Sequence, residues 1–431
     1  MFISNCLDVN EHGHLTIDGA DTVALAQQYG TPVYCMSENE LRAACRGFKS
    51  ALSEFFGDDS MVLYASKALS CKEIYRIVMD EGLGIDVVSG GELFTALSVG
   101  FPADKVFFHG NNKTTQEMAY AMESGVGYIV IDSMYELETL GAIAKSCGKT
   151  QNVLLRIKPG VEAHIHQFVL VGSIDSKFGF AAHNGEALEA VDKLSEYPNL
   201  VYKGLHCHIG SQIFEIEPFA ETARVMLDFI GNVKQSYGID TPILNLGGGF
   251  GIKYTPQNVP CALKDVLGAV AAVVDEECAK LNIPRPFIAI EPGRAIAAPA
   301  GITLYTVGAV KDIKDVRTYV SVDGGMTDNP RYSLYGSEYT AVIANKADKA
   351  ADFKVTIAGR CCETDLLQEN TYIQKPDPGD IMAMLSTGAY NYAMASNYNR
   401  LPKPPIVMVK DGESRVVVKR ETYDDLIRHD V

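Results

Sequence analysis

Short runs of apolar, β-branched residues recur through the first 295 residues of the chain, separated by segments of mixed polarity. The runs begin near Val62, Gly84, Val106, Tyr128, Val153, Tyr202, Ile243 and Phe287. The first four follow one another at a spacing of 22 residues. Apolar runs of this length predict buried strands.

The segments between the runs carry helical periodicity. Ile74, Ile77 and Val78 follow the i, i+3, i+4 spacing of one helix face. Glycines such as Gly148 stand near the expected helix ends, where a left-handed C-cap favours them. Eight strands, each with a helix beside it, predict a (β/α)8 TIM-like barrel. A doubly wound sheet is the alternative, because spacing alone does not close a barrel.

The pattern changes after residue 295, where helical periodicity becomes sparse. Strand signals occupy residues 302–310, 318–322, 353–358, 380–385 and 406–419, and two more lie at 14–17 and 33–36. The sequence therefore predicts two domains, of α/β and of β class. The barrel is expected at 37–295, and a β-sandwich or β-barrel-like domain is expected from 1–36 together with 296–431.

Polar residues follow the predicted barrel strands at their C-terminal ends. They are Lys67, Asp86, His109, Asn111, Asp132, Arg156, His206, His208, Glu291 and the glycines at 247–249. In an eight-stranded barrel this rim carries the active site. Strand ends are polar in many proteins, but a lysine, two histidines and a glutamate on one face favour a functional site.

Lys67 stands at the tip of a buried strand, where its ammonium group is costly to desolvate. A lysine in this position is typical of Schiff-base chemistry with an aldehyde cofactor. A lysine that extends past the strand end to solvent is the alternative.

Two motifs suit the ring and the phosphate of such a cofactor. Glu291 could keep a pyridine nitrogen protonated, while Gly293 and Arg294 suit a phosphate; a Glu291–Arg294 salt bridge is the alternative. The glycines at 247–249 let the backbone approach an anion closely, or simply form a tight turn.

His206 and His208 are spaced to share one side of a strand. That spacing suits a metal-dependent hydrolase, but it also suits one imidazole stacked on a flat cofactor with Ser211 at its phosphate. A core histidine explains one of the two. A second pair, His164 and His166, lies in a polar loop and is assigned no role.

Charge and composition narrow the class of protein. The net charge of −16 argues against binding to nucleic acid or to anionic membranes. No apolar run is long enough to span a bilayer, and no signal peptide is visible at the N-terminus. Ten cysteines without an export signal indicate reduced thiols, so we expect a cytoplasmic protein.

Taken together, these motifs resemble a known family. The segments at 64–68, 208–211, 247–251 and 291–294 resemble the barrel-type, fold-type III pyridoxal-phosphate enzymes, which include alanine racemase-like proteins and the basic amino-acid decarboxylases. The segments at 109–113, 323–331, 334–336 and 388–399 resemble the diaminopimelate decarboxylase family in particular. The resemblance extends from about residue 25 to about residue 420.

The resemblance implies the roles of individual residues. Lys67 would hold pyridoxal 5'-phosphate, His208 would stack on its ring, and Glu291 would pair with its pyridine nitrogen. The residues expected around the cofactor phosphate are Ser211, Gly248, Gly249, Gly293, Arg294 and Tyr390, and Pro292 is expected to contact the cofactor. Those expected at the substrate are Arg294, Arg331, Tyr335, Glu363 and Tyr390. Cys362 would donate the proton, and no metal is implied.

The resemblance also implies the reaction and the assembly. The reaction would convert meso-2,6-diaminopimelate to L-lysine and CO2, the last step of lysine biosynthesis, in a homodimer that shares its sites. Cys362 and Glu363 would reach into the partner's site. The family usually has Cys-Glu-Ser-Gly-Asp at this loop, and Cys362-Glu363-Thr364-Asp365 is one residue shorter, which leaves the place of Asp365 open. A sister decarboxylase acting on ornithine, arginine or carboxynorspermidine is the alternative.

Overall fold

The structure is a computed structural model that describes residues 2–161 and 175–431, so His164 and His166 lie outside the described residues. The chain forms two compact units. The barrel unit comprises Cys45–Gly251 and Pro260–Gly293, and the β unit comprises Met1–Ala44, Ile252–Val259 and Arg294–Val431. The domain boundaries at 37 and 295 stay a prediction.

The strands, in chain order, are β1 (Leu7–Val9), β2 (Leu15–Ile17), β3 (Ala20–Asp21), β4 (Val33–Ser37), β5 (Ser60–Ala65), β6 (Gly84–Val87), β7 (Val106–Phe108), β8 (Tyr128–Ile131), β9 (Gln151–Lys158), β10 (Phe180–Ala181), β11 (Leu200–His206), β12 (Ile243–Asn245), β13 (Phe287–Ile290), β14 (Gly301–Ile313), β15 (Arg317–Val322), β16 (Ala341–Ile343), β17 (Phe353–Ala358), β18 (Leu366–Ile373), β19 (Ile381–Leu385), β20 (Ile406–Lys410) and β21 (Glu413–Val418).

The α-helices are α1 (Thr22–Tyr29), α2 (Glu38–Phe56), α3 (Lys72–Asp80), α4 (Gly90–Leu97), α5 (Thr115–Glu123), α6 (Met134–Cys147), α7 (Glu186–Leu194), α8 (Glu217–Tyr237), α9 (Leu263–Leu281), α10 (Arg294–Ala297), α11 (Arg331–Tyr335) and α12 (Tyr423–Ile427). Among the described helices, none is both long enough and apolar enough to cross a bilayer.

The barrel closes through eight parallel strands, in the order β5-β6-β7-β8-β9-β11-β12-β13. Leu63 of β5 pairs with Gly84 of β6, and Ile290 of β13 pairs back with Val62 of β5. The predicted TIM-like barrel is therefore confirmed. Its strands correspond to the eight apolar runs of the sequence, because strands covered on both faces have little reason to alternate with polar residues.

Apolar side chains fill the barrel interior. Leu63, Phe107, Val130 and Leu154 belong to one buried cluster, and each is at most 1% exposed. Polar caps hold the surrounding helices in place: the Ser133 side chain accepts from the Glu136 amide at the start of α6, and Gly148 ends that helix in a left-handed conformation. The packed interior leaves the strand ends to carry chemistry.

The β unit is built around the long strand β14. The first half of β14 pairs with β4 and β19, and its second half pairs with β15. β4 also pairs with β20, which places an N-terminal strand inside the main sheet of this unit. The expectation of a β-rich second domain is confirmed. Four of its strands, β1, β3, β16 and β18, were not predicted.

Candidate active site

A cavity of about 380 Å³ lies at the C-terminal ends of the barrel strands. The polar side chains that line it include Lys67, Asp86, His109, Arg156, His206, His208 and Glu291. These residues are far apart in sequence, and each lies at or just past the end of its strand. The closed barrel therefore brings together most of the polar residues that the sequence placed at this rim.

Lys67 lies in a short 3₁₀ turn, Ser66–Ala68, directly after β5. Between Val62 and Leu69 all residues except Lys67 are buried. Lys67 is exposed and lines the cavity. The buried neighbours fix the backbone of the turn, so the amine is presented to the cavity from a rigid support.

Glu291 follows β13 and is 7% exposed. Its Oε1 lies 2.9 Å from His109 Nε2 and accepts from Asn245 Nδ2 at 2.6 Å. Its Oε2 lies 3.3 Å from His206 Nε2. Three neighbouring side chains thus surround one buried carboxylate, and the Glu291–Arg294 salt bridge weighed as an alternative is not needed to explain it.

The electrostatics of this cluster favour an anionic glutamate. Burial opposes ionisation, but His109 and His206 hold the pKa of Glu291 well below its usual range. Burial is also the main reason that the pKa of His206 falls to about 3, and it lowers the pKa of His109. The cluster therefore favours an ionised Glu291 carboxylate.

His208 is half-buried, and its Nδ1 accepts from the backbone N–H of Gly248 at 3.3 Å. Burial, followed by the nearby Lys67 charge, holds the pKa of His208 well below its usual value. The hydrogen bond uses the Nδ1 lone pair, so the neutral ring carries its proton on Nε2.

The glycine run beside His208 is required by close backbone packing. A Cβ on Gly248 would lie 2.2 Å from the carbonyl oxygen of Glu291. Gly249 has φ +114°, and a Cβ there would lie 2.9 Å from Ile213 Cδ1. Gly293 is confined in the same way, because its Cβ would lie 2.8 Å from that of Ala65. Packing alone explains these glycines, and their role at a phosphate stays a prediction.

Asp86 and Arg156 complete the charged wall of the cavity. Burial, followed by the Glu291 charge, raises the pKa of Asp86 well above its usual value, and its Oδ2 is buried without a hydrogen-bond partner among the described residues. The Arg156 guanidinium lies 3.5 Å from Asp132 and 4.1 Å from the ring centre of Phe178. Asp86 thus offers a hydrogen-bonding group that the protein itself leaves unused.

Two arginines of the β unit lie in a cluster of tyrosines. The Arg294 guanidinium donates to Tyr254 Oη at 2.7 Å and lies 4.6 Å from the ring centre of Tyr390. Arg331 lies 5.7 Å from the same Tyr390 ring and 5.6 Å from that of Tyr335. Tyr390 itself has a φ of +59°, an unusual backbone conformation for a non-glycine residue.

Arg331 lacks a carboxylate partner within the described part of the chain. It is 7% exposed and donates to Ser337 Oγ at 3.2 Å, while its Nε has no hydrogen-bond partner in the parts of the chain that the structure describes. A buried guanidinium without an anion is costly. This arrangement suits the binding of an anionic ligand.

The loop around Cys362 is anchored at both sides. The Cys362 amide donates to Asn399 Oδ1 at 2.9 Å, and Glu363 Oε1 accepts from Tyr398 Oη at 2.7 Å, while Cys362 and Glu363 are themselves exposed. Asp365 is 2% exposed and accepts from the amides of Met326 at 2.6 Å and Cys361 at 2.7 Å. The shorter loop therefore still ends in a buried carboxylate that fixes the loop's start.

Sequence reasoning missed several residues of these clusters. His109 was placed at the rim without a role, and Asn245 was not considered, although a buried asparagine that ends the apolar strand β12 is a recognisable signal. No local sequence pattern indicates a role for Tyr254, because its hydrogen-bond partner Arg294 is 40 residues away in the chain.

The structure does not place both histidines of the candidate metal pair in one group of potential ligands. Among the described residues, His109, His206 and Glu291 have ligand atoms within 4.8 Å of one another, and His208 is not in that group. His208 instead faces the glycine run. The hydrolase interpretation of His206 with His208 loses its geometric basis.

Comparison with known proteins agrees with these features. Residues 38–298 match the model of the family described as "Pyridoxal-dependent decarboxylase, pyridoxal binding domain". Diaminopimelate decarboxylase of Bacillus subtilis (strain 168) is 44% identical, with 100% of this chain and 98% of that protein covered. Diaminopimelate decarboxylase of Staphylococcus aureus (strain COL) is 43% identical, with 98% of each chain covered.

The chain belongs to the diaminopimelate decarboxylase family. A solved structure of this family, diaminopimelate decarboxylase from M. jannaschii in co-complex with L-lysine, superposes with a TM-score of 0.93 at 34% identity and covers 100% of this chain and 99% of that one. The resemblance noted in the sequence is thereby confirmed. Family membership also decides against the metal-dependent hydrolase.

Proposed function

We propose that the chain decarboxylates meso-2,6-diaminopimelate to L-lysine and CO2 with the help of pyridoxal 5'-phosphate. The observation that carries this proposal is the barrel cavity, whose wall contains Lys67, His208 and Glu291 together. The relatives named above bear the name of this activity, and the solved relative from M. jannaschii binds L-lysine.

The residues of the cavity fit this cofactor. Its volume lies in the range of small-molecule sites, and the buried Asp86 Oδ2 and His206 Nδ1 have no hydrogen-bond partners among the described residues. For the phosphate we propose Ser211, Gly248, Gly249, Gly293, Arg294 and Tyr390, with Pro292 as a further cofactor contact. When bound, pyridoxal phosphate supplies an electron sink for the carbon that loses CO2.

The side chains of the cavity then have separate tasks. The Lys67 amine would hold the aldehyde carbon of the cofactor and give way to the amine of the substrate. Glu291, kept anionic by its neighbours, would face the ring nitrogen and keep it protonated. His208 would stack on the ring, with its orientation fixed by the Gly248 amide.

Specificity is expected to come from the second end of the substrate, which carries an ammonium and a carboxylate. A guanidinium binds a carboxylate through two parallel hydrogen bonds, so Arg331 is the proposed carboxylate reader, with Arg294, Tyr335 and Tyr390 beside it. Glu363 would bind the distal ammonium. Ornithine lacks the second carboxylate and would leave Arg331 without a partner.

Proton return is assigned to Cys362. Loss of CO2 breaks the bond between the α-carbon and the carboxyl carbon of the substrate. The electron pair of this bond stays with the α-carbon, which then takes a proton from the thiol. Cys362 is a free cysteine and is exposed. We propose that the chain works as a homodimer in which Cys362 and Glu363 of one subunit serve the site of the other.

Product analysis tests the reaction. Purified protein loaded with pyridoxal phosphate is incubated with meso-diaminopimelate, ornithine or arginine, and CO2 and the amine product are measured. We expect CO2 and L-lysine from diaminopimelate and at most a trace of turnover from the others. Preferred turnover of ornithine or arginine would establish the sister activity instead.

Mixing two inactive variants tests the shared site. Lys67→Ala and Cys362→Ala each disable a different contribution, so a mixed dimer restores one complete site. After random exchange we expect about a quarter of wild-type activity from the mixture. A mixture as inactive as its components, with subunit exchange shown by tagged chains, would place both residues in the site of one subunit.

A further inference from the structure

The buried carboxylate of Glu291 is held by side chains from three different barrel strands. His109 follows β7, His206 ends β11, and Asn245 ends β12. The three residues are 4%, 1% and 0% exposed, so water does not compete for their contacts with the carboxylate. Contacts from three strands to one carboxylate are more than packing requires.

The orientation of each partner is fixed. Asn245 Oδ1 accepts from the amide of Gly247 at 2.9 Å, which turns its Nδ2 towards Glu291. The His109 and His206 rings meet edge-on, with centres 4.4 Å apart, so neither ring turns independently of the other.

The number of donors is informative. An ionised carboxylate offers about four lone-pair directions. Asn245 donates to Oε1, where His109 Nε2 lies 2.9 Å away without hydrogen-bond geometry, and His206 lies on Oε2, which leaves one direction on Oε2 for a donor from outside. Glu291 also lines the cavity, where such a donor would bind.

We propose that His109 and His206 are positioning residues that, with Asn245, fix the Glu291 carboxylate so that one acceptor direction remains for the ring nitrogen of the cofactor. This inference rests on the proposed cofactor. It predicts that the two imidazoles control cofactor binding and turnover without touching the substrate. A glutamate free to rotate would serve the ring nitrogen only part of the time.

Paired variants separate hydrogen bonding from packing. His109→Leu and His206→Leu remove the ring nitrogens that face Glu291, whereas His109→Gln and His206→Gln place an amide N–H near the position of Nε2. His183→Leu is the control, because His183 Nε2 lies 3.2 Å from the carbonyl of Pro159 and the residue does not line the cavity.

The first readout is the affinity of the cofactor-free protein for pyridoxal phosphate, measured by titration of its absorbance. The second is kcat and KM for meso-diaminopimelate. We expect the leucine variants to lose at least about tenfold in affinity and in kcat, with KM within about threefold, as for other residues that orient a binding group. The glutamine variants and His183→Leu should stay within about threefold of wild type.

Leucine variants within twofold of wild type in affinity and kcat would overturn the proposal. Equal losses for leucine and glutamine would also overturn it, because packing would then be the role. If the leucine variants do not fold, His206→Asn is compared with His206→Gln. The shorter asparagine moves the amide N–H away from the position of Nε2. Equal cofactor affinity and equal kcat for these two variants would overturn the proposal. Wild-type protein that holds one equivalent of zinc tightly, together with a His206→Leu variant that holds none, would overturn the proposal in favour of a metal site.

The affinity readout needs no substrate. A wild-type protein that binds the cofactor but does not turn over diaminopimelate would therefore contradict the proposed function, while the affinities of the variants would still decide the role of the imidazoles.

Discussion

The ammonium group of Lys113 lies 2.9 Å from Oε2 of Glu136, and both side chains are 1% exposed. The same ammonium donates to the carbonyls of Gly110 and Val130, at 2.8 and 2.7 Å. Glu136 in turn accepts from the amides of Lys113 and Asp132. The pair thus ties the 110–113 turn, which lines the barrel cavity, to the end of β8.

Breaking this pair should destabilise the barrel unit strongly. In Lys113→Met the Glu136 carboxylate and two carbonyls lose a buried donor, and we expect a loss of about 3–5 kcal/mol in unfolding free energy. Urea unfolding followed by circular dichroism measures it. Lys193→Met, which removes the partly exposed pair with Glu196, is the control and should change little. An unaltered midpoint for Lys113→Met would mean that the pair does not hold the turn.

The barrel was readable from the sequence because each of its strands is buried on both faces and therefore forms an apolar run. The observed strands begin within a few residues of the predicted ones. The β unit was harder to predict. β18 was missed because Leu366–Ile373 carries the four polar residues Gln, Glu, Asn and Thr in succession and has Asn370 at φ +50°.

Site residues could be predicted from the sequence where they directly follow a predicted strand. Lys67 and Glu291 stand directly after apolar runs, which marks them without any structure. Contacts across the barrel are not encoded in local pattern, and the approach of His109 to Glu291 joins residues 182 positions apart. Such contacts depend on how the strands are arranged in the closed barrel.

Asp365→Asn tests whether the Asp365 carboxylate holds the loop that carries Cys362. This carboxylate accepts from the amide of Cys361, the residue before Cys362. An amide has one oxygen where the carboxylate has two, so either the Met326 or the Cys361 amide loses its acceptor. We expect a loss of about 1–3 kcal/mol in the stability of the β unit. A fall in kcat larger than the change in KM should accompany it, because Cys362 loses its fixed position. Asp348→Asn, an exposed residue paired with Lys349, is the control. Unchanged kcat and stability would show that the loop needs no anchor.

Acid should destabilise the barrel unit through His206. Burial is the main cause that lowers its pKa to about 3, from the usual 6.5 expected in the unfolded chain. Between these values the unfolded state binds the additional proton, so stability is full above about pH 6.5 and falls towards pH 3, by about 1.4 kcal/mol per pH unit. The lowered pKa of Glu291 acts in the same direction below its usual value of 4.5.

Urea unfolding of wild type and His206→Gln between pH 4.5 and 8 measures this dependence. The variant lacks the titrating ring, so its stability should fall less steeply below pH 6.5. Parallel curves for the two proteins would assign the acid sensitivity to other groups.

Arg331→Ala is the sharpest test of substrate choice. Arg331 is buried, faces tyrosine rings, and lacks a carboxylate partner among the described residues, so the second carboxylate of diaminopimelate is its proposed counter-ion. Truncating one partner of a buried charge pair costs about 2–5 kcal/mol, which corresponds to roughly thirtyfold or more in kcat/KM. Arg331→Lys keeps the charge but loses the two parallel hydrogen bonds, and should fall between wild type and alanine. The control is Arg317→Ala, which removes a partly exposed pair with Glu369 and should leave kcat/KM unchanged. If Arg331→Ala retains wild-type kcat/KM on diaminopimelate while folding normally, the substrate assignment fails, because Arg331 is the proposed partner of the carboxylate that distinguishes this substrate from ornithine.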